Sequence, residues 1–186
     1  MSTPLTKTSN IALLIGRFQP FHMGHLYAVR YIYRRHESFV IGLGSAFESH
    51  TLRNPFTAAE RIKMIFLALD EEGIPRDKYY IVPIPDTDIH YTWVSLVKML
   101  VPEFDVVYSN DPLTTILFRE HGIKVEPIPF FNRETYSGEE FRRRVINDEP
   151  WEDLVPKVVA EYLKTINAVK RIKELSKTDK VSAASK

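Results

Sequence analysis

Ile11-Ala12-Leu13-Leu14-Ile15 is an unbroken apolar run, β-branched at both ends, that stops at Gly16 and gives way to a helix from Gly24 onward. A strand of that composition buries both faces, so it belongs inside a parallel sheet covered by helices. The helix carries Leu26, Val29, Tyr31, Ile32 and Tyr33 and is mostly apolar. Between the two lies Gly16-Arg17-Phe18-Gln19-Pro20-Phe21-His22-Met23-Gly24-His25. Gly16 permits a turn close to a ligand, while Pro20 and Phe21 stiffen and anchor the loop. His22 and His25 flank the helix start, where unpaired backbone N–H groups attract anions. Protonated or hydrogen-bonding imidazoles at that place add donors directed at a phosphate. Histidines at this spacing also occur as surface or core residues, or as a metal pair. The chain has no cysteine, and no nearby third ligand completes a structural zinc site, so no protein-held metal is predicted.

The alternation of strand and helix continues. Phe39 to Leu43 is predicted as a second strand, and Thr57-Ala58-Ala59-Glu60 as a capping box opening an amphipathic helix with Ile62, Ile65, Phe66 and Leu69. Gly73-Ile74-Pro75 stops that helix. Tyr80 to Ile84 is a third strand, Trp93 to Leu100 a short helix and Asp105 to Tyr108 a fourth strand. Asn110-Asp111-Pro112 caps a helix running to about Glu120 and ending at Gly122. Lys124 to Ile128 is a fifth, edge strand, since Pro127 and Pro129 limit its pairing. The fold class is therefore α/β: a doubly wound parallel sheet of five to six strands that binds ligands outside the carboxyl ends of its strands.

Beyond the sheet, Ser137-Gly138-Glu139-Glu140 reads as a second capping box, opening a helix with Arg142, Arg143 and Arg144. Trp151 to about Leu175 has apolar residues at helical spacing and suits a C-terminal helical cap or an oligomer contact. A single domain over 1–186 is expected, with an α/β core over 11–150, C-terminal helices over 151–176 and a disordered tail over 177–186.

Composition narrows the function. With 25 Lys and Arg against 24 Asp and Glu, the net charge of +1 gives no footprint for nucleic acid or an anionic membrane. The absence of cysteine excludes disulfides, thiolate catalysis and iron–sulfur chemistry. No run is long enough to span a bilayer, and Met1 to Asn10 lacks the apolar stretch of a signal peptide, so a cytoplasmic protein is expected. No GxxxxGK[ST] loop occurs. Gly42-Leu43-Gly44-Ser45-Ala46-Phe47 follows a strand but lacks the third glycine of a dinucleotide fingerprint, and reads better as a loop whose backbone comes close to a ligand.

The string ending His22-Met23-Gly24-His25 resembles the HxGH signature of the nucleotidylyltransferase superfamily, which binds ATP or CTP at such a strand–helix junction. Within it, Gly44 to Arg61, Asp105 to Asn110 and Tyr136 to Arg142 resemble the archaeal-type nicotinamide-nucleotide adenylyltransferases, a likeness extending over about Ile11 to Leu175. The resemblance implies a Rossmann-like sheet. It also implies an enzyme that joins ATP and nicotinamide mononucleotide into NAD and pyrophosphate, with Mg²⁺ bound mainly through ATP, and a homo-oligomer. By the same resemblance Arg17 and His22 contact ATP phosphates, and His25 holds the phosphate that becomes the transition-state centre. Gly16 and Gly24 allow close backbone approach, and Arg53 and Arg142 grip phosphates. Trp93 packs on the nicotinamide ring, and Phe18, Ser45, His90 and Ser137 complete the substrate-binding set. Two positions depart from the family pattern. Glu139 replaces a threonine and would repel a triphosphate unless it points away or meets Mg²⁺, and His90 replaces an asparagine that reads the amide in some relatives.

The implied attacking group is a phosphate already ionised at neutral pH, so no general base is required, and alignment with charge neutralisation is enough. Alternatives are another HxGH enzyme with a phosphopantetheine or cytidylyl acceptor, or a non-catalytic nucleotide sensor. The sensor would be expected to have lost His25 or a phosphate-binding arginine.

Overall fold

The computed structural model describes residues 11–129 and 134–183. Among them, five strands form one parallel sheet in the order β3-β2-β1-β4-β5. They are β1 (Ala12–Gly16), β2 (Phe39–Leu43), β3 (Tyr79–Pro83), β4 (Val106–Tyr108) and β5 (Lys124–Glu126). Leu13 pairs with Val40 on one side and Val107 on the other, and all three are fully buried. The apolar run is thus the central strand that its composition demands. The chain builds outward from β1 through β2 to β3, then resumes on the other side with β4 and β5. That reversal makes the sheet doubly wound.

The strand ends shift by a residue or two from the sequence expectation. Ile11 stays outside β1, its N–H donating to the Asp105 carboxylate at 2.7 Å and its carbonyl accepting from the Asp105 N–H. β5 stops at Glu126, two residues short of Ile128, because Pro127 has no N–H to continue the ladder.

Seven α-helices occur among the described residues: α1 (Met23–Tyr33), α2 (Ala58–Glu71), α3 (His90–Leu100), α4 (Pro112–Glu120), α5 (Gly138–Ile146), α6 (Lys157–Thr165) and α7 (Ala168–Ala183). Both halves of the Thr57–Glu60 capping box are made. Asp111 caps α4 with Pro112 at its first position, and Gly122 leaves it at φ +72. At α5 only half of the predicted box forms. Ser137 accepts from the Glu140 N–H, but the Glu140 carboxylate turns away to Arg143 and Arg144. The helical spacing after Trp151 resolves into a 3-10 turn followed by α6 and α7, with Asn167 at φ 54 between the helices. Helix α7 runs through residues 177–183, which the sequence assigns to a disordered tail, and 184–186 lie outside the described residues.

The chain falls into two compact units, neither of them contiguous. One comprises Met1–Gly16, Tyr27–Ala46 and Ile74–Phe130, the other Arg17–Leu26, Phe47–Gly73 and Phe131–Lys186. The first unit holds the whole sheet with α3 and α4. Its core joins Leu13, Val40 and Val107 to Ile84, Val94, Val97 and Phe118. Each such side chain contributes about 1.5–3 kcal/mol on burial. The second unit holds α2, α5, α6 and α7. In it Phe141 meets Trp151 edge to face at 5.3 Å, and Arg171 of α7 makes a bidentate pair with Glu60 of α2 at 2.7 and 2.8 Å. No helix among the described residues is long and apolar enough to cross a membrane.

Candidate functional site

The turn after β1 differs from the expectation that Gly16 makes it. Gly16 stays in register with Leu43, and its carbonyl accepts the Gly44 N–H at 2.9 Å. The left-handed residue is Phe18, at φ 52, a conformation that costs a bulky residue of order 1–3 kcal/mol. What holds it there is packing. Phe18 is 1% exposed and lies 5.9 Å from the Phe21 ring and 4.6 Å from that of His25. Phe18, expected in the substrate-binding set, has its phenyl group packed against the His25 ring. The Gln19–Pro20 bond that follows is cis.

His22 and His25 open α1 in a reciprocal arrangement. The His22 N–H points to Nδ1 of His25 at 3.2 Å, and the His25 N–H to Nδ1 of His22 at 3.4 Å. Their rings stack with centroids 3.6 Å apart. Since α1 begins at Met23, this is a capping box built from imidazoles at the N-cap and N3 positions. Nδ1 accepts in both rings, so each neutral ring carries its proton on Nε2. Burial, reinforced by the Arg142 charge, pushes the His22 pKa down to about 3, and burial with the neighbouring His22 pushes that of His25 well below its usual value. Both rings are therefore neutral N–H donors at neutral pH. Gly24 between them is fixed by crowding, because a Cβ there would sit 3.1 Å from the His22 ring and from the Tyr136 carbonyl.

Arg17, Arg53 and Arg142 all belong to the same unit as the histidines. Arg17 and Arg53 are exposed, while Arg142 is partly enclosed and donates through Nη1 to the Gln19 carbonyl at 3.0 Å. Burial and the charges of Arg17 and Arg53 push the Arg142 pKa down, whereas Glu139 pushes it up. The departure at Glu139 thus leaves an exposed carboxylate that partly balances a cluster of cations. An anion placed among them would relieve the same repulsion. Ser137 caps α5, its hydroxyl accepting the Glu140 N–H at 3.1 Å and its carbonyl the Phe141 N–H at 3.1 Å. Arg143 and Arg144 turn to Glu140, Glu149 and Asp153, and hold the Glu140 pKa down to about 2.

The other expected residues lie in the sheet-bearing unit. Ser45 has φ 47 in a turn beyond β2 whose flanks are tied by Gly44 N–H to Gly16 O and by Ala46 N–H to Ile84 O at 3.1 Å. His90 is exposed at the first turn of α3. Trp93, one turn on, is half-buried against the sheet core with its ring edge-on to Phe118 at 5.8 Å.

Three residues outside the sequence assignment organise the site. Gln19 is buried and pairs its side-chain amide with the Phe56 backbone. Arg61 is fully buried and donates to the Arg17 carbonyl at 2.8 Å. At Gly138 a Cβ would fall 2.7 Å from the Gln19 carbonyl. A glutamine set between Phe18 and Pro20-Phe21 is the signal that would have marked Gln19. The residues it meets are too distant in sequence to be read from spacing. Among the described residues, no group of three or more His, Cys, Asp or Glu is arranged to hold a metal ion.

Against this geometry, a family model described as cytidylyltransferase-like matches residues 13–144. The chain is 50% identical over 164 residues to the nicotinamide-nucleotide adenylyltransferase of Thermococcus sibiricus, covering 88% of each chain. It is 48% identical over 165 residues to the protein of the same name from Pyrococcus furiosus, again covering 88% of each. Among solved structures it resembles a bifunctional NMN adenylyltransferase/ADP ribose pyrophosphatase from Francisella tularensis, with a TM-score of 0.77 at 21% identity over 95% of this chain. The match covers 55% of that protein, so the chain spans about half its length, and at this identity the likeness concerns the fold.

Proposed function

The chain belongs to the cytidylyltransferase-like family and, within it, to the nicotinamide-nucleotide adenylyltransferases, and from that membership we propose that it joins ATP and nicotinamide mononucleotide into NAD, releasing pyrophosphate. The observation that carries this reading is the pair of Nε2–H donors on His22 and His25 in the same unit as Arg17, Arg53 and Arg142. An ionised phosphate oxygen of the mononucleotide attacks the α-phosphorus of ATP. The new P–O bond forms in line as the bond to pyrophosphate breaks, and no proton need move.

Neutral imidazoles suit that step, because they donate hydrogen bonds to developing charge without depending on a prior protonation. His25 is assigned to the α-phosphate, His22 and Arg17 to the triphosphate, and Arg53 and Arg142 to its charge. Gly16, Gly24, Ser45 and Ser137 border the bound substrates. Trp93 and His90 are assigned to the nicotinamide end of the acceptor, where an imidazole can still donate one hydrogen bond to the amide. Mg²⁺ would be held mainly by the phosphate oxygens of ATP and by water, and would add neutralising charge at the triphosphate. One nucleotidylyltransferase domain over 1–186, a cytoplasmic location and self-association complete the reading. Exposed Tyr91 and Met99 on α3, with Leu113 and Ile116 on α4, support an apolar contact between copies.

The test is to incubate the purified protein with ATP, Mg²⁺ and each pyridine mononucleotide, phosphopantetheine or cytidylyl acceptor, and to read product masses. NAD and pyrophosphate in equal amounts are expected. Adenylylation of another acceptor with no dinucleotide would reject the reading.

A further inference from the structure

Gln19 is the single glutamine of the 186-residue chain and is 4% exposed. Its amide makes two bonds to one residue. Nε2–H donates to the Phe56 carbonyl at 2.9 Å, and Oε1 accepts the Phe56 N–H at 2.9 Å. This is the exchange that paired strands make, performed by a side chain on a loop. The backbone of Gln19 is engaged as well, since its carbonyl accepts Arg142 Nη1 at 3.0 Å and lies against Gly138. Two residues earlier, the Arg17 carbonyl accepts the buried Arg61 guanidinium. Gln19 therefore ties its own segment to two others, and each of the three carries one of the clustered arginines: Arg17 two positions before it, Arg53 three before its partner Phe56, and Arg142 on its carbonyl.

We infer that Gln19 is the positioning residue of the phosphate cradle: its side chain fixes the loop that bears Arg53, its carbonyl fixes Arg142, and it touches no substrate itself. This rests on the nucleotidyl-transfer reading above. The three cations repel one another, so left to themselves they would spread. A cradle pre-set to the pentacoordinate phosphorus of the transition state is held by bonds from within, and an amide that satisfies both Phe56 backbone groups provides two of them without adding charge. Loose spacing would still let the arginines follow a flexible triphosphate in the ground state. It would not align them on the transition state, where misplacement of about 1 Å costs on the order of a hundredfold in rate.

Two variants test this. Gln19→Glu keeps the acceptor for the Phe56 N–H and sets a carboxylate against its carbonyl. Gln19→Met keeps the length and removes both bonds. Each is assayed beside the unaltered protein for kcat, for KM of ATP and of nicotinamide mononucleotide, and for the melting transition. The expected result is folded protein in which kcat drops at least tenfold while both KM values stay within about threefold. Unchanged kcat, or a rise in KM with kcat retained, overturns the inference. Failure of both variants to fold also overturns it, since the amide would then hold the fold and not the spacing. An unaltered protein that is inert with ATP and every acceptor removes the functional reading and this inference with it, whereas an active one with equally active variants removes the inference alone.

Discussion

His22 and His25 cap each other, each ring nitrogen Nδ1 facing the other's backbone N–H across a stack of 3.6 Å. The arrangement settles tautomer and charge together. A proton added at either Nδ1 would cancel an acceptor of the helix cap, and at His22 it would also bring a cation toward Arg142, so the rings stay neutral with their protons on Nε2.

Stability should consequently depend on pH in a defined direction. The folded His22 pKa, about 3, lies below its ordinary 6.5, so below pH 6.5 the unfolded chain takes up a proton that the folded one refuses. The contribution is fully present above 6.5 and is lost as pH falls toward 3, on the order of a few kcal/mol over that span. Urea unfolding at pH values from about 7 down to about 5 checks this. His22→Asn, which can still cap, should flatten the slope, and an unchanged slope would locate the titration elsewhere.

His25→Ala should lower turnover far more than ATP affinity. A donor used mainly on the transition state is worth roughly 2–4 kcal/mol, a hundredfold or more in rate. Rapid-quench turnover and equilibrium ATP titration separate the two, and equal losses would make His25 a support of the loop only.

Trp93 sits half in the core, and its replacement should show both faces. Trp93→Ala is expected to destabilise by about 2–3 kcal/mol, below the range for a fully buried tryptophan, through the lost edge contact with Phe118. It should also raise KM for the mononucleotide with that for ATP nearly unchanged, at about 1 kcal/mol of stacking. Equal rises for both substrates would confine Trp93 to packing.

The Arg171–Glu60 pair should be expensive to break from one side. Both side chains are more than three-quarters buried, and Glu60 also closes the cap of α2. Arg171→Met should cost about 2–3 kcal/mol, less than a fully enclosed pair. Hydrogen bonds from Arg171 and Thr57 outweigh burial and hold the Glu60 pKa below its ordinary 4.5. The pair's contribution is thus present above that value and fades as pH falls through the folded pKa. A double-mutant cycle with Glu60→Gln at neutral and at acid pH tests it, and a coupling energy that survives acid would contradict it.

Gly138→Ala should act at a distance. Its methyl group would meet backbone, the Gln19 carbonyl, so the loop must shift, at about 1–3 kcal/mol of overpacking. Reduced kcat together with a lower melting temperature is expected, and an unperturbed enzyme would mean that α5 moves instead.

What the sequence disclosed was local. Ile11 to Ile15 announces the central strand by composition, Thr57 to Glu60 announces the start of α2 by spacing, and Asp111-Pro112 does the same for α4, because each rests on neighbours within four residues. The HxGH string likewise marks the histidines. Their charge state was not legible, since it depends on burial and on Arg142, which is 120 residues from His22. Nor was the role of Gln19, whose partners Phe56 and Arg142 stand 37 and 123 residues away. The left-handed conformation fell on Phe18 and not on Gly16 because ring packing against Phe21 and His25 outweighs backbone preference, a balance that no local pattern records.

The distribution of the three arginines along the chain also sets a timetable for synthesis. The sheet is complete once Glu126 has left the ribosome, and its unit can then pack its core. The cationic cluster cannot exist before Arg142 emerges, and the brace between Glu60 and Arg171 must wait a further 29 residues, for Arg171. A nascent chain therefore has every strand of the sheet synthesised before the last of the three arginines appears.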